Sequence, residues 1–212
     1  MFRRTNSYTV PLNPQEKRHA LYQGDFKWFI VALSEKYAQA LKQIGVFSES
    51  QLSRMNDASL LTDICLTHIE GIHHASEAKL NTFYANRDQT FPEHDMLTER
   101  IDTGFTYIRK WESIHNTSLL RPYNFYTLML AVSHMLRRNP VLEPDFPSPE
   151  LPTLSDEYVL PNLGRLTAAI DDSEPDDALS SFVEACAKAT NRMNPRKQRF
   201  EWFCCALQPR LL

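Results

Sequence analysis

The apolar residues Phe26, Phe29, Ile30, Leu33, Tyr37, Leu41 and Ile44 recur mostly three and four positions apart, and no other feature constrains the chain as strongly. At 3.6 residues per turn these side chains line one face of a helix, whereas a strand would scatter them over both faces. The same signature returns several times. Leu60, Leu61, Ile64, Cys65, His68 and Ile72 form one set, and Leu97, Ile101, Gly104, Phe105, Ile108, Trp111 and His115 another. Tyr126, Met129, Leu130, Ser133 and Leu136 follow, then Leu179, Phe182, Val183 and Cys186, and finally Phe200, Phe203, Cys204 and Leu207.

Start and stop signals bracket these stripes. Asn13 caps a first helix with Pro14 at its first position and Glu16 completing a capping box, and Gly24 stops it. Asp25 is expected to cap the next helix, which Gly45 ends. Ser48 with Gln51 marks a short helix to Arg54, Asp57 opens another, and Ser76–Asn86 reads as a brief one. Longer helices are expected over Glu93–Asn116 and from Pro122 to Arg138, and shorter ones near Asn162–Ile170 and from a capped start at Asn194-Pro195. Only five glycines are present, too few for the tight turns of a hairpin-rich β fold. The expectation is an all-α, multi-helix bundle.

The distribution of prolines divides the chain. Residues 1–12 read as an extended leader, since Pro11 disfavours helix at Val10, and residues 13–138 as the main helical bundle. Pro140, Pro144, Pro147, Pro149, Pro152 and Pro161 make residues 139–161 a Pro-rich connector, and residues 162–212 form a small C-terminal helical part packed on the bundle. A formal net charge of -3 gives no global basic field, so any nucleic-acid contact must come from a local patch. Cys65, Cys186, Cys204 and Cys205 lie in apolar helical patterns without a C-x-x-C pair, which reads as reduced, core-filling thiols of a cytoplasmic protein. No apolar stretch approaches the roughly 20 residues that a membrane span needs.

Several short segments, taken in order, resemble one family. Phe2-Arg3-Arg4-Thr5-Asn6 reads F-x-R-x-N, and Pro11-Leu12-Asn13-Pro14-Gln15-Glu16-Lys17-Arg18-His19-Ala20 reads P-L-[NS]-x-x-E-x-R-x-A. Arg54-Met55-Asn56-Asp57 then precedes an apolar helix, and Glu70-Gly71-Ile72 precedes Lys79-Leu80-Asn81-Thr82-Phe83-Tyr84. Over residues 2–90 this order resembles the ParB/sulfiredoxin-like proteins that include the GmrSD-type modification-dependent restriction systems, the domain-of-unknown-function family two-six-two. The resemblance implies a ParB-like domain whose D-G-Q-Q-R motif serves nucleotide hydrolysis, with the F-x-R-x-N segment supporting that site. A helical region follows, and some members end in an HNH nuclease domain. No D-G-Q-Q-R occurs here, so the chain is expected to correspond to the helical tail of such a protein, as a truncated product or a split subunit.

The candidate chemistry is sparse. Through the resemblance, Arg4, Asn6 and Arg18 would contact a nucleotide held by a partner in trans; the plainer reading of the first two is a frayed terminus. Glu16 is explained by the capping box. His68, Glu70, His73 and His74 lack the one-turn spacing of a helical metal site, so no metal is expected, and His68 is read as buried with His73-His74 in a solvated turn. No phosphate-binding loop, dinucleotide motif or nucleophile elbow calls for a cofactor or a reaction. Arg137-Arg138 suits a helix C-terminus. Arg192, Arg196, Lys197 and Arg199 surround a helix N-terminus, where cations oppose the dipole, and this makes them the candidate DNA contact. Their alternative partner is the acidic run Asp171–Asp177. The reading is a non-catalytic helical interaction or DNA-recognition module related to restriction and phage-defence proteins, with DNA or a ParB-like or nuclease protein as partner. The alternatives are a subunit completing an NTPase or nuclease site in trans, and a structural remnant without a ligand.

Overall fold

A computed structural model describes residues 11–149, 151–172 and 177–209. Among the described residues the chain forms ten α-helices and no strand, so the all-α expectation holds. Arg4 and Asn6 lie outside the described residues.

The first helix, α1 (Pro14–Leu21), starts as expected. Asn13 Oδ1 accepts from Glu16 N at 2.9 Å, and Glu16 Oε2 accepts from Asn13 N at 2.7 Å. The start of α2 (Asp25–Gln43) is different. Its cap is Gly24, and Asp25 is already the first helical residue. The orphan donors of this end are met from far along the chain: Asp25 N donates to Asp88 O, Phe26 N to Arg87 O, and Gly24 N to Asp88 Oδ1 at 2.7 Å. A Cβ on Gly24 would sit 1.4 Å from Asp88 O, so glycine is required here by backbone contact.

Helix α3 (Glu49–Leu52) carries the expected Ser48–Gln51 box. Helix α4 (Asn56–Glu70) begins one residue before Asp57, with Met55 as its cap in the left-handed region at φ 57°. Asp57 therefore stands inside the first turn, buried, rather than before it. Helix α5 (Glu77–Asn86) falls within the expected Ser76–Asn86 span, with Ser76 as its cap. Helix α6 (His94–Lys110) ends six residues short of Asn116. It stops because Trp111 turns into the core, where it is fully buried and donates Nε1–H to Asp156 at 3.1 Å. His115 folds back so that its Nε2 meets the carbonyl of Ile108 at 2.9 Å, and two short 3-10 turns lead onward.

Helix α7 (Pro122–Leu136) is the axis of the molecule, buried over nearly its whole length and packed against α4 and α6. Gly104 of α6 allows the close approach, since a Cβ there would lie 1.9 Å from Met129 Sδ. The Pro-rich segment is not a free spacer. His134 Nε2 meets Phe146 O at 2.8 Å, Asn139 N donates to His134 Nδ1, and Leu142 and Leu154 enter the core. The connector also ends earlier than expected, because α8 (Asp156–Asp171) contains Pro161. Ser155 caps it, and Pro161 is exposed in its second turn, where water can serve the one carbonyl the ring leaves unbonded.

Helices α9 (Ser180–Ala187) and α10 (Met193–Ala206) complete the fold, with α10 lying across α7 and against α9. Asn194 is not the cap of α10. Arg192 holds that position, and Pro195 stands in the first turn, where its missing N–H costs nothing. All four cysteines are buried and unpaired. Burial pushes the Cys186 thiol up to about 12, as expected of a core thiol. No helix among the described residues is long and apolar enough to cross a membrane.

The two tight glycines give a graded expectation. In Gly24→Ala the new methyl meets backbone and must part the 87–88 loop from α2, losing about 2–3 kcal/mol. In Gly104→Ala it meets a flexible methionine and gains up to about 1 kcal/mol in helix propensity, so the net loss is smaller. Urea midpoints of the two variants test this order; equal midpoints would contradict it.

Candidate functional site

The first turns of α4, α5, α7 and α10 border one open cleft of about 540 Å³. Asp63 and Arg196 lie at its base, Ser59, Ser76 and Asn191 on its walls, and Tyr123 at its side. Asp63 projects from the middle of α4, four residues before Thr67 on the same face. Arg196 reaches it from α10 in a two-point pair, Nη2 to Oδ2 at 2.6 Å and Nη1 to Oδ1 at 3.2 Å. Nη1 also donates to Tyr126 Oη and His73 O, and the guanidinium carbon lies 4.4 Å from the centre of the Tyr126 ring. Tyr126 and Thr67 share a hydroxyl bond of 2.6 Å.

His73 closes the cluster. Its Nε2 is 3.1 Å from Asp63 Oδ1 and its Nδ1 is 2.9 Å from Gly71 O. The expected solvated His73-His74 turn is thus corrected for His73, which is 5% exposed; His74 is exposed and its Nδ1 accepts from Met193 N. Gly71, at φ 85°, ends α4 and lets the chain double back so that His73 faces the same carboxylate as Arg196. Burial alone would raise the Asp63 carboxyl, but the hydrogen bonds and charges of His73 and Arg196 outweigh it and hold the group below the ordinary carboxylate range.

The basic cluster separates residue by residue. Arg196 and Arg199 are buried. Arg199 donates to Ala185 O at 2.6 Å and Thr190 O at 2.7 Å, so it serves the C-terminal end of α9 rather than opposing the start of its own helix. Burial, with the charge of Arg196 adding to it, lowers its guanidinium to about 10. Lys197 pairs with Asp145 at 2.6 Å, and Arg192 is exposed. The carboxylate partners of Arg196 and Lys197 are therefore Asp63 and Asp145, while residues 173–176 of the acidic run lie outside the described residues. Arg18 is also buried. It donates to Glu77 at 2.5 Å, to Gln15 at 2.8 Å and to Asn81 at 3.2 Å, fastening α1 to α5. Just past the end of α7, Arg137 pairs with Glu99 and Arg138 with Glu143, while the carbonyls of these two arginines accept from Arg100.

One arrangement resembles a nucleophile and its base. Ser133 Oγ lies 3.3 Å from His68 Nε2, and Asn139 Nδ2 lies 3.3 Å from His68 Nδ1. The protons run the wrong way for catalysis. Val141 N donates to Asn139 Oδ1, which turns the amide nitrogen toward His68, so Nδ1 accepts and Nε2 carries the hydrogen. Ser133 in turn donates to Leu130 O. Burial, then the nearby Arg100 and His134, push His68 down to about 3, and it stays neutral. This group is a brace that binds the Pro-rich strap to α4 and α7. No group of three or more His, Cys, Asp or Glu placed to hold a metal occurs among the described residues.

Comparison of the chain with family models, with curated proteins and with solved structures returned no match.

Removing the Asp63 charge isolates its role. Asp63→Asn leaves Arg196 buried without its counter-charge and costs about 3–5 kcal/mol at neutral pH. Because the folded carboxyl titrates below the unfolded one, its contribution is fully present above about pH 4 and is lost as pH falls through the folded value. The gap in Tm between the wild type and Asp63→Asn is therefore widest at pH 7 and narrows on acidification. A gap that stays constant down to about pH 3 would contradict this account.

Proposed function

We infer that the protein is a non-catalytic recognition module that takes its ligand in the cleft bounded by α4, α5, α7 and α10. The reading rests on the Asp63–Arg196 pair at the base of that cleft, with His73 set against the same carboxylate. A concave site in which a few buried polar groups converge, one with a perturbed carboxyl, is the usual form of a binding site. On the segments over residues 2–90, the module is related to modification-dependent restriction and phage-defence proteins, where a helical region accompanies a ParB-like domain.

DNA is a second reading, favoured by exposed Arg192 and half-exposed Lys197 at the start of α10. Completion of an NTPase or nuclease site in trans has less support, since Arg18 already has its partners inside the fold.

Two assays test these readings. Purified chain, alone and mixed with a protein bearing D-G-Q-Q-R, should neither hydrolyse nucleoside triphosphate nor cleave DNA. Turnover by the chain alone would overturn the non-catalytic reading, and turnover gained only in the mixture would favour completion in trans. In a titration of duplex DNA, two phosphate contacts give a slope of log K against log salt of about -1.8, whereas four would give about -3.6. The shallower slope is expected; the steeper one would mean that Arg196 and Arg199 leave their buried partners.

A further inference from the structure

We propose that the cleft is an anion site, built to receive a small phosphate-bearing molecule against Arg196 and the surrounding helix ends. The proposal rests on the reading of this cleft as the recognition site and adds the chemical class of its ligand.

Three independent features of the cleft agree. The first is the direction of the helices. Asn56 is the first residue of α4, Ser76 caps α5, and Pro122 opens α7, while Asn191 and Arg196 bracket the first turn of α10. Each such end carries a partial positive charge. First-turn N–H groups are already answered inside the fold by the Asp57 carboxylate at α4, Ser76 Oγ at α5 and His74 Nδ1 at α10, so these ends offer the cavity a field rather than free donors. The second is an unanswered donor. Arg196 is 4% exposed and lines the cleft, and its Nε–H has no hydrogen-bond partner although both of its terminal nitrogens are engaged. A buried guanidinium hydrogen without an acceptor is unfavourable; it is enclosed, so an anion in the cleft would offset the Arg196 charge from above rather than bond this hydrogen directly.

The third is the charge balance. Two carboxylates line the cleft, and each already has a cation: Asp63 has Arg196, and Glu77 has Arg18 at 2.5 Å. Arg199 lines the same cleft, and its hydrogen bonds go to carbonyl and hydroxyl oxygens rather than to a carboxylate. One positive charge is therefore left over at the base, and an entering anion would offset it. The hydroxyl of Ser59 and the amides of Asn56 and Asn191 on the walls add neutral donors suited to an anion with several acceptor oxygens. The volume of about 540 Å³ leaves room for more than a bare ion.

The experiment uses the full chain with inorganic phosphate, pyrophosphate, AMP and uncharged adenosine, read by calorimetric titration and by the shift in Tm. Pyrophosphate and AMP are expected to bind saturably and raise Tm, and adenosine to do neither. Ser59→Asp places a like charge on the cleft wall at a half-buried position of α4, and is expected to weaken AMP binding tenfold or more. Ser59→Trp fills the cleft and is expected to abolish binding, with each variant's Tm without ligand reporting its folding. No saturable binding of either anion would overturn the proposal. Adenosine bound as tightly as AMP and lost in Ser59→Trp would overturn the anion class while keeping the cleft as the recognition site. Anion binding unchanged in both variants would place it elsewhere and overturn both readings.

Discussion

Arg196 and Asp63 stand 133 positions apart in the chain, and their ion pair joins the last long helix to the middle of the fourth. Removing two such charges from water costs several kcal/mol per ion, and only good geometry with further hydrogen bonds offsets this. The surroundings supply them: Tyr126 and His73 O accept from the guanidinium, His73 faces the carboxylate, and Thr67 bonds the Tyr126 hydroxyl. These contacts constrain the rest of the structure. They fix the angle at which α10 crosses α7 and the tight return after Gly71. The same turn is held again where Ala75 N donates to Asn191 O. The cleft is the space these constraints leave open above the pair.

The helices were legible in the sequence wherever their signals were local. The Asn13 and Ser48 caps work within three residues, and each appears where its side chain predicts. Ends determined by distant partners were not legible. The α2 start depends on Asp88, α6 ends because Trp111 reaches Asp156, and α10 starts at Arg192 where the preceding turn meets the 73–75 segment. The cleft was illegible for the same reason. An aspartate in the middle of an apolar helix was the available sign, but its partner lies at the far end of the chain. The cations near the start of α10 stand out in the sequence because they lie on the wrong side of a helix dipole. What the sequence hid is that the two buried ones answer to Asp63 and to the end of α9.

Three of the segments that carry the resemblance meet in space. Asn13 Nδ2 donates to Arg54 O and Glu16 pairs with Arg54, joining the second segment to the third. Gln15 bonds the Tyr84 hydroxyl and Arg18 bonds Asn81, joining the second to the last. These residues hold α1 against α4 and α5, which gives the pattern a folding role that can be stated without reference to nucleotide chemistry. On that footing the relation to restriction proteins is a proposal about ancestry, and the proposal about binding stands on the cleft alone.

The central claim is that Arg196 and Asp63 act on each other, and on the fold, as a buried pair. A double-mutant cycle with Asp63→Asn and Arg196→Gln, followed by chemical unfolding of all four proteins, measures this directly. The account predicts a coupling free energy of about 2 kcal/mol or more, the double variant being far less destabilised than the sum of the single ones. Additive losses, with coupling below about 0.5 kcal/mol, would contradict it.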